Sequence, residues 1–266
     1  MAIEQVTTEL TEPQAAECID KQKVAAAFGR AAHSYEQHNE LQRRSGNALL
    51  ARLPEWADTG LDLGCGSGWF APRLKLKARQ LLALDLSPDM LQQATKKADI
   101  TPICADMDAM PLPAQSLDWI FANLCLQWSA DPAAWLKGWS ERLKPGGVLV
   151  FSTLLAGSLH ELESSWQQLD GHAHINRFIA PDTLEQQLTA TGRRWQLEQV
   201  DEQLCYPKLK GLLLDLKGIG ANRVNGDRRP GLMGKQAWQR LNLIYPKNNQ
   251  GHCVATYRLA YGVIYG

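Results

Sequence analysis

The strongest constraint on this chain is a turn. Residues 59–63 form a short apolar run of strand length, and the run ends in Gly64-Cys65-Gly66-Ser67-Gly68. A backbone that leaves a strand through alternating glycines can bend sharply and approach a ligand closely, because no Cβ stands in the way. In an open α/β sheet that place, outside the carboxyl ends of parallel strands, is where ligands bind. Two common nucleotide loops do not fit. A dinucleotide loop is GxGxxG/A, and here the sixth position is Trp69; a P-loop closes on GK[ST], which is absent. No lysine or arginine occurs in the following helix before Arg73, so nothing nearby demands a phosphate.

Around the turn the pattern alternates. Strands are predicted at 59–63, 80–84, 101–104, 117–122 and 148–153. Between them fall a helix to about Lys77, a helix from the N-cap Ser87 to Lys97 with Pro88 at its first position, and a helix over 131–143 closed by the turn Lys144-Pro145-Gly146-Gly147. Short apolar strands alternating with amphipathic helices specify a doubly wound, mainly parallel sheet. Two helices precede it: 21–32, then one from Ser34 to about Leu53, where Pro54 stops it. Residues 195–206 and 253–265 alternate as strands. The stretch 207–251 between them is too long for a plain connection and reads as a helical insertion, a lid. Residues 1–19 read as a flexible tail and 20–266 as a single domain.

Composition narrows the class. With 45% hydrophobic and 21% charged residues among 266, the chain can bury a full core. Twenty-eight basic residues balance 28 acidic ones, which disfavours nucleic acid as a partner. Nothing approaches the roughly 20 apolar residues of a membrane span, and residues 1–20 lack the apolar segment of a secretory signal. The six cysteines include no CxxC pair, as expected of reduced thiols in a cytoplasmic protein. His172 and His174 form an isolated HxH, and His160-Glu161 lacks the second histidine of HExxH, so no metal is expected.

Acids follow the glycine turn in a telling order. Asp85 closes the second strand, where a carboxylate can accept both hydroxyls of a ribose. Asp106 follows the third strand, placed to meet an adenine amino group, with Met107 beside the ring. Asn123 follows the fourth.

Leu61-Asp62-Leu63-Gly64-Cys65-Gly66-Ser67-Gly68, Ala83-Leu84-Asp85-Leu86-Ser87-Pro88-Asp89-Met90 and Ala105-Asp106-Met107-Asp108-Ala109-Met110-Pro111-Leu112, completed by Leu143-Lys144-Pro145-Gly146-Gly147, resemble the motifs of class I S-adenosylmethionine-dependent methyltransferases. The resemblance implies a Rossmann-like sheet, mostly parallel with its last strand antiparallel. It implies that Asp62, Gly64, Cys65 and Gly66 meet the methionine end of S-adenosylmethionine, Asp85 and Leu86 the ribose, Asp106 and Met107 the adenine, and Asn123 the methionine portion. The flanks resemble a narrower group, the malonyl-acyl-carrier-protein O-methyltransferases of biotin synthesis. The residues concerned are 24–38, Asn123-Leu124-Cys125-Leu126-Gln127-Trp128, His174-Ile175-Asn176-Arg177-Phe178 and Leu216-Lys217-Gly218-Ile219-Gly220-Ala221. That group converts the free carboxylate of a malonyl carrier protein into a methyl ester, with malonyl-CoA as a second possible thioester. A longer tail, 1–19, is the departure.

A carboxylate acceptor is already ionised at neutral pH and needs no general base, so a site without a catalytic His–Asp pair is expected. Arg177 is the candidate for holding the acceptor carboxylate, since its planar fork matches one bidentately. Tyr35 is the candidate for closing the site from the N-terminal helices, and Trp128 for a wall. The insertion is basic: Lys208, Lys210, Lys217, Arg223, Arg228, Arg229, Lys235 and Arg240 stand against Asp215 and Asp227. Lys217, Arg223 and Arg228 are the expected docking residues for an acidic carrier protein, and the enzyme is expected to be a monomer. A methyltransferase of a free small acid or quinone precursor shares the cofactor motifs but not the reason for a basic insertion. A non-catalytic S-adenosylmethionine-binding regulator shares the motifs without turnover, and a nicotinamide dehydrogenase is opposed by Trp69.

Overall fold

The computed structural model describes Lys21, Ala26, Gly29, Glu36 and residues 38–172, 174–218 and 234–266. The expected tail 1–19 and most of the helix at 21–32 lie outside these residues, as do 219–233 of the insertion.

The elements run α1 (Glu40–Leu50), β1 (Ala57–Leu63), α2 (Ala71–Lys75), β2 (Ala78–Asp85), α3 (Pro88–Ala94), β3 (Thr101–Cys104), β4 (Leu117–Asn123) and α4 (Pro132–Glu141). They continue with β5 (Leu143–Leu154), α5 (His160–Leu169), α6 (Pro181–Ala190), β6 (Trp195–Tyr206), α7 (Leu209–Gly218), α8 (Lys235–Ile244) and β7 (Cys253–Tyr265). The seven strands lie in the order β3-β2-β1-β4-β5-β7-β6. β1 to β5 are parallel, and β7 runs antiparallel to both β5 and β6. The chain enters at β1, builds outward to β3, then returns to place β4 on the other side of β1. That reversal opens a crevice at the carboxyl ends of β1 and β4.

Several local signals act as read. Ser87 caps α3, its Oγ accepting the Met90 N–H at 3.4 Å, with Pro88 at the first helical position. Asp131 caps α4 by accepting the Ala134 N–H. Both C-terminal strands have the bounds that the alternation gave. Elsewhere the helices are shorter than expected. The expected Lys144–Gly147 turn is absorbed into β5 as an irregularity: Leu117 pairs with Leu143 and Trp119 with Val148.

Each face of the sheet carries its own core. One gathers α1, α2, α5, α7 and α8 around Phe70, Trp119, Phe121 and Tyr257; the other gathers α4 and α6 around Trp135, Trp139 and Phe151. One packing device recurs, an aromatic ring pressed against a glycine. A Cβ on Gly46, Gly60 or Gly262 would stand 2.1 Å from a ring atom of Phe70, Trp119 or Phe151 respectively. Gly262 faces Phe151 across the β5–β7 joint, on which the antiparallel edge depends. Gly262→Val is therefore expected to cost about 1–3 kcal/mol by overpacking, read as a lowered denaturation midpoint; an unchanged midpoint would contradict this packing.

Candidate functional site

The glycine turn takes the conformation the sequence requires. Gly64, Gly66 and Gly68 have φ of 71°, 53° and 74°, values at which a Cβ is strained. The Gly64 and Cys65 N–H groups donate to the Leu84 carbonyl at 2.8 and 3.0 Å, so the turn is pinned to the end of β2. At Gly68 a Cβ would lie 2.6 Å from the Ala94 backbone, so α3 packs directly on the loop.

A buried carboxyl, Asp62, and a partly buried one, Asp85, meet there. Asp85 Oδ2 accepts the Gly66 N–H at 2.9 Å and Oδ1 accepts the Ser87 N–H at 2.8 Å. Burial raises the Asp85 pKa, and these N–H groups oppose the rise. Asp62, 3% exposed, is pushed up to about 8 by burial and then by the charge of Asp85. Burial, followed by these acids, also pushes up the thiols of Cys65 and Cys125, so neither is a thiolate nucleophile at neutral pH.

Asp106 and Asp108 together hold the Lys21 ammonium, at 2.6–2.7 and 2.5 Å. Burial works against the Lys21 charge, and the two carboxylates overcome it and raise its pKa. Met107 packs on the core beside them, and its carbonyl accepts the Trp139 indole N–H at 3.0 Å. The Asn123 side chain forms a hub: Oδ1 accepts from Ser45 and Ser152 at 2.7 and 2.8 Å, while Nδ2 donates to the Gln42 carbonyl at 2.9 Å. Trp69 lies under the Arg43 guanidinium, 3.8 Å from its ring centroid, and lines a cleft of about 400 Å³ with Glu36, Arg73 and Lys97.

Arg177 is exposed, in the segment leading to Ile179, which bridges Leu155 just past β5. That puts it on the carboxyl side of the sheet with Asp62, Asp85 and Asn123. Lys217 is exposed on α7. Tyr35, Arg223 and Arg228 lie outside the described residues.

Sequence reading missed one cluster. His38 Nδ1 lies 2.6 Å from Asp215 Oδ1 on α7, and the Tyr206 hydroxyl bonds Asp215 and Tyr257. Tyr257 stands two residues before Leu259, the partner of Leu154 at the end of β5, so this cluster also flanks the carboxyl edge. A His–Asp pair thus exists where none was expected. Its members are 177 positions apart, and no local pattern announces them.

The family model described as "Methyltransferase domain" matches residues 61–151, from β1 into β5. The malonyl-[acyl-carrier protein] O-methyltransferase of Pseudescherichia vulneris is 40% identical over 248 residues, 92% of this chain and 98% of that protein. The chain belongs to the malonyl-[acyl-carrier protein] O-methyltransferase family. Solved structures reach further. YcgJ of Bacillus subtilis aligns with a TM-score of 0.61 at 12% identity, over 84% of this chain and 98% of that one. The [4+2]-cyclase SpnF aligns at 0.51 and 17%, over 83% and 79%. The family is thus one branch of a fold that also carries other chemistry.

The buried acids fit the cofactor of this family. The methionine end of S-adenosylmethionine carries an ammonium, and Asp62 is a desolvated carboxyl held at the turn where that end would lie. Below about pH 8 Asp62 is protonated, so a cation arriving beside it must expel the proton. Affinity for S-adenosylhomocysteine is expected to rise about tenfold per pH unit from about 6 to 7.5 and to level off above about 8. Calorimetry at pH 7 in buffers of different ionisation enthalpy should show close to one proton released, and Asp62→Asn should abolish both effects. A flat affinity profile for the native protein would refute this coupling.

Proposed function

We propose that this protein transfers the methyl group of S-adenosylmethionine to the free carboxylate of a malonyl carrier protein, giving the methyl ester that primes pimeloyl synthesis for biotin. The observation that carries the reading is kinship over 92% of the chain and 98% of a protein of that name. The cofactor supplies an electrophilic methyl carbon on a sulfonium. Asp62 and the turn Gly64–Cys65–Gly66 would hold its methionine end, Asp85 with Leu86 the ribose, and Asp106 with Met107 the adenine. Asn123 would lie along the methionine portion, its amide kept in place by Ser45, Ser152 and Gln42.

The acceptor oxygen is anionic before it arrives, so the protein's task is to align it with the methyl carbon and strip its water. Arg177 would grip the carboxylate and Tyr35 would close the site over it. The His38–Asp215 pair does not serve as a base in this reading. Asp215 is shared with Tyr206, and the cluster ties the N-terminal segment to the lid helix. Lys217, Arg223 and Arg228 would meet the acidic carrier protein, and a malonyl-CoA thioester would react without that docking energy. The protein would act as a monomer in the cytoplasm, a reducing compartment that suits the free thiols of Cys65, Cys104, Cys125, Cys205 and Cys253. No helix among the described residues is long and apolar enough to cross a membrane.

Mass spectrometry of malonyl carrier protein after incubation with enzyme and S-adenosylmethionine is expected to show one added methyl on the malonyl group. Comparable turnover of a free small acid would overturn the substrate. Reversing the charges of Lys217, Arg223 and Arg228 together is expected to raise KM for the carrier protein at least about tenfold at low salt, with kcat little changed. An unaltered KM would remove the docking role.

A further inference from the structure

The start of α1 holds buried polar groups that the site as described does not use. Asn39, 1% exposed, stands at the N-cap position, yet its side chain makes no capping hydrogen bond. Its Oδ1 and Nδ2 are buried with no hydrogen-bond partner among the described residues, and so is Oε1 of Gln42, one turn on. Leaving buried amide groups unpaired is costly, and Asn39 Nδ2 in particular is a buried donor that lacks an acceptor among the described residues, so this turn calls for a ligand.

Their position says where that ligand lies. Arg44 pairs with Glu202 and Arg52 with Glu198 on β6, a strand parallel to β5 because both oppose β7. The helix therefore points its N-terminus toward the carboxyl edge of the sheet. Asn123, at the end of β4, bonds Gln42 and Ser45. Asn39 stands six residues before Ser45, about 9 Å of helix rise farther out, beyond the carboxyl end of β4. His38, bonded to Asp215 of the lid helix, fixes the entry to this turn. A helix N-terminus offers unpaired N–H groups and a partial positive charge, which suit an anion. Glu40, the acid of the first turn, is exposed and paired with Arg44 at 2.9 Å.

We propose that the first turn of α1 is a carboxylate-binding subsite, in which Asn39 Nδ2 and the N–H groups of the turn donate to the carboxylate and the Gln42 amide turns to present its NH2. The proposal rests on the methyltransferase reading only in naming two sources for the carboxylate, the amino-acid end of the cofactor or the malonyl acceptor. Two nearly isosteric variants remove the amides, Asn39→Leu and Gln42→Met, and they are examined singly and combined. Binding of S-adenosylhomocysteine and of 5′-methylthioadenosine, which lacks the amino-acid end, is measured by calorimetry, with KM and kcat for malonyl carrier protein alongside.

A loss of about ten- to a hundredfold for S-adenosylhomocysteine, with 5′-methylthioadenosine unchanged, places the cofactor's carboxylate in the subsite. Unchanged binding of both nucleosides with KM for the carrier protein raised to that extent places the acceptor's there. In either case the melting temperature should hold or rise, because an apolar side chain no longer buries an unpaired amide. Equal losses for both nucleosides would overturn the proposal. So would unchanged affinities and KM, or a lowered melting temperature with binding intact, which would make the amides structural. The nucleoside measurements need no acceptor, so they stand even if native protein fails to methylate malonyl carrier protein.

Discussion

Everything at the carboxyl edge hangs on the joint between the glycine turn and the end of β2. The Gly64 and Cys65 N–H groups bond the Leu84 carbonyl, and the Gly66 N–H bonds the Asp85 carboxylate. The last two residues of β2 thereby fix the backbone loop that leaves β1. The loop can hold three positive φ angles only because it is glycine there, and Ala94 presses on Gly68 so closely that a larger residue would lift α3 away. Asp85 has two tasks in this arrangement. It ties the loop, and it stands at the strand end as the group proposed for a ribose.

The same joint explains the electrostatics. Asp62 is buried and Asp85 partly so, and loss of water raises the pKa of both. Asp85 is eased by backbone N–H groups, whereas Asp62 has no such relief and so resists ionisation until about pH 8. The site is thus less comfortable without a ligand than with one, since a ligand ammonium would resolve the conflict that burial creates. Farther along the edge the opposite tactic is used: Asp106 and Asp108 are neutralised by Lys21, drawn in from the N-terminal segment.

What could be read from the sequence divides along the same line. The strand bounds of β3, β6 and β7 follow from alternation, and α3 and α4 from their capping residues, because those signals are local. Helices α5 and α6 carry no such mark. One begins after Leu159 in a left-handed conformation (φ 60°) and the other after Ala180, neither with a side-chain cap. The places of Asp62, Asp85 and Asp106 near the carboxyl edge were legible because each lies close to or just past the end of a strand. The His38–Asp215 tie, the Lys21–Asp106 pair and the Asn123 hub were not, because each joins elements that only folding brings together. The reading of Asn123 as a ligand of the methionine portion named its place in the sheet but not its partners, all of which are protein groups.

This division bears on how such a fold acquires a particular reaction. The fold is shared with proteins of other chemistry, a cyclase among them, so the sheet alone does not settle the reaction. The choice must come from the elements laid over the carboxyl edge: the segment before β1 and the insertion before β7. In this chain the two are joined to each other through His38 and Asp215, and to the sheet through Tyr206 and Tyr257 on one side and Asn123 on the other. An acceptor entering between them would meet walls supplied by both covers at once. Movement of either cover would alter the position of the other, and with it the line from acceptor oxygen to methyl carbon. A reaction that needs no general base depends on that line more than on any single side chain.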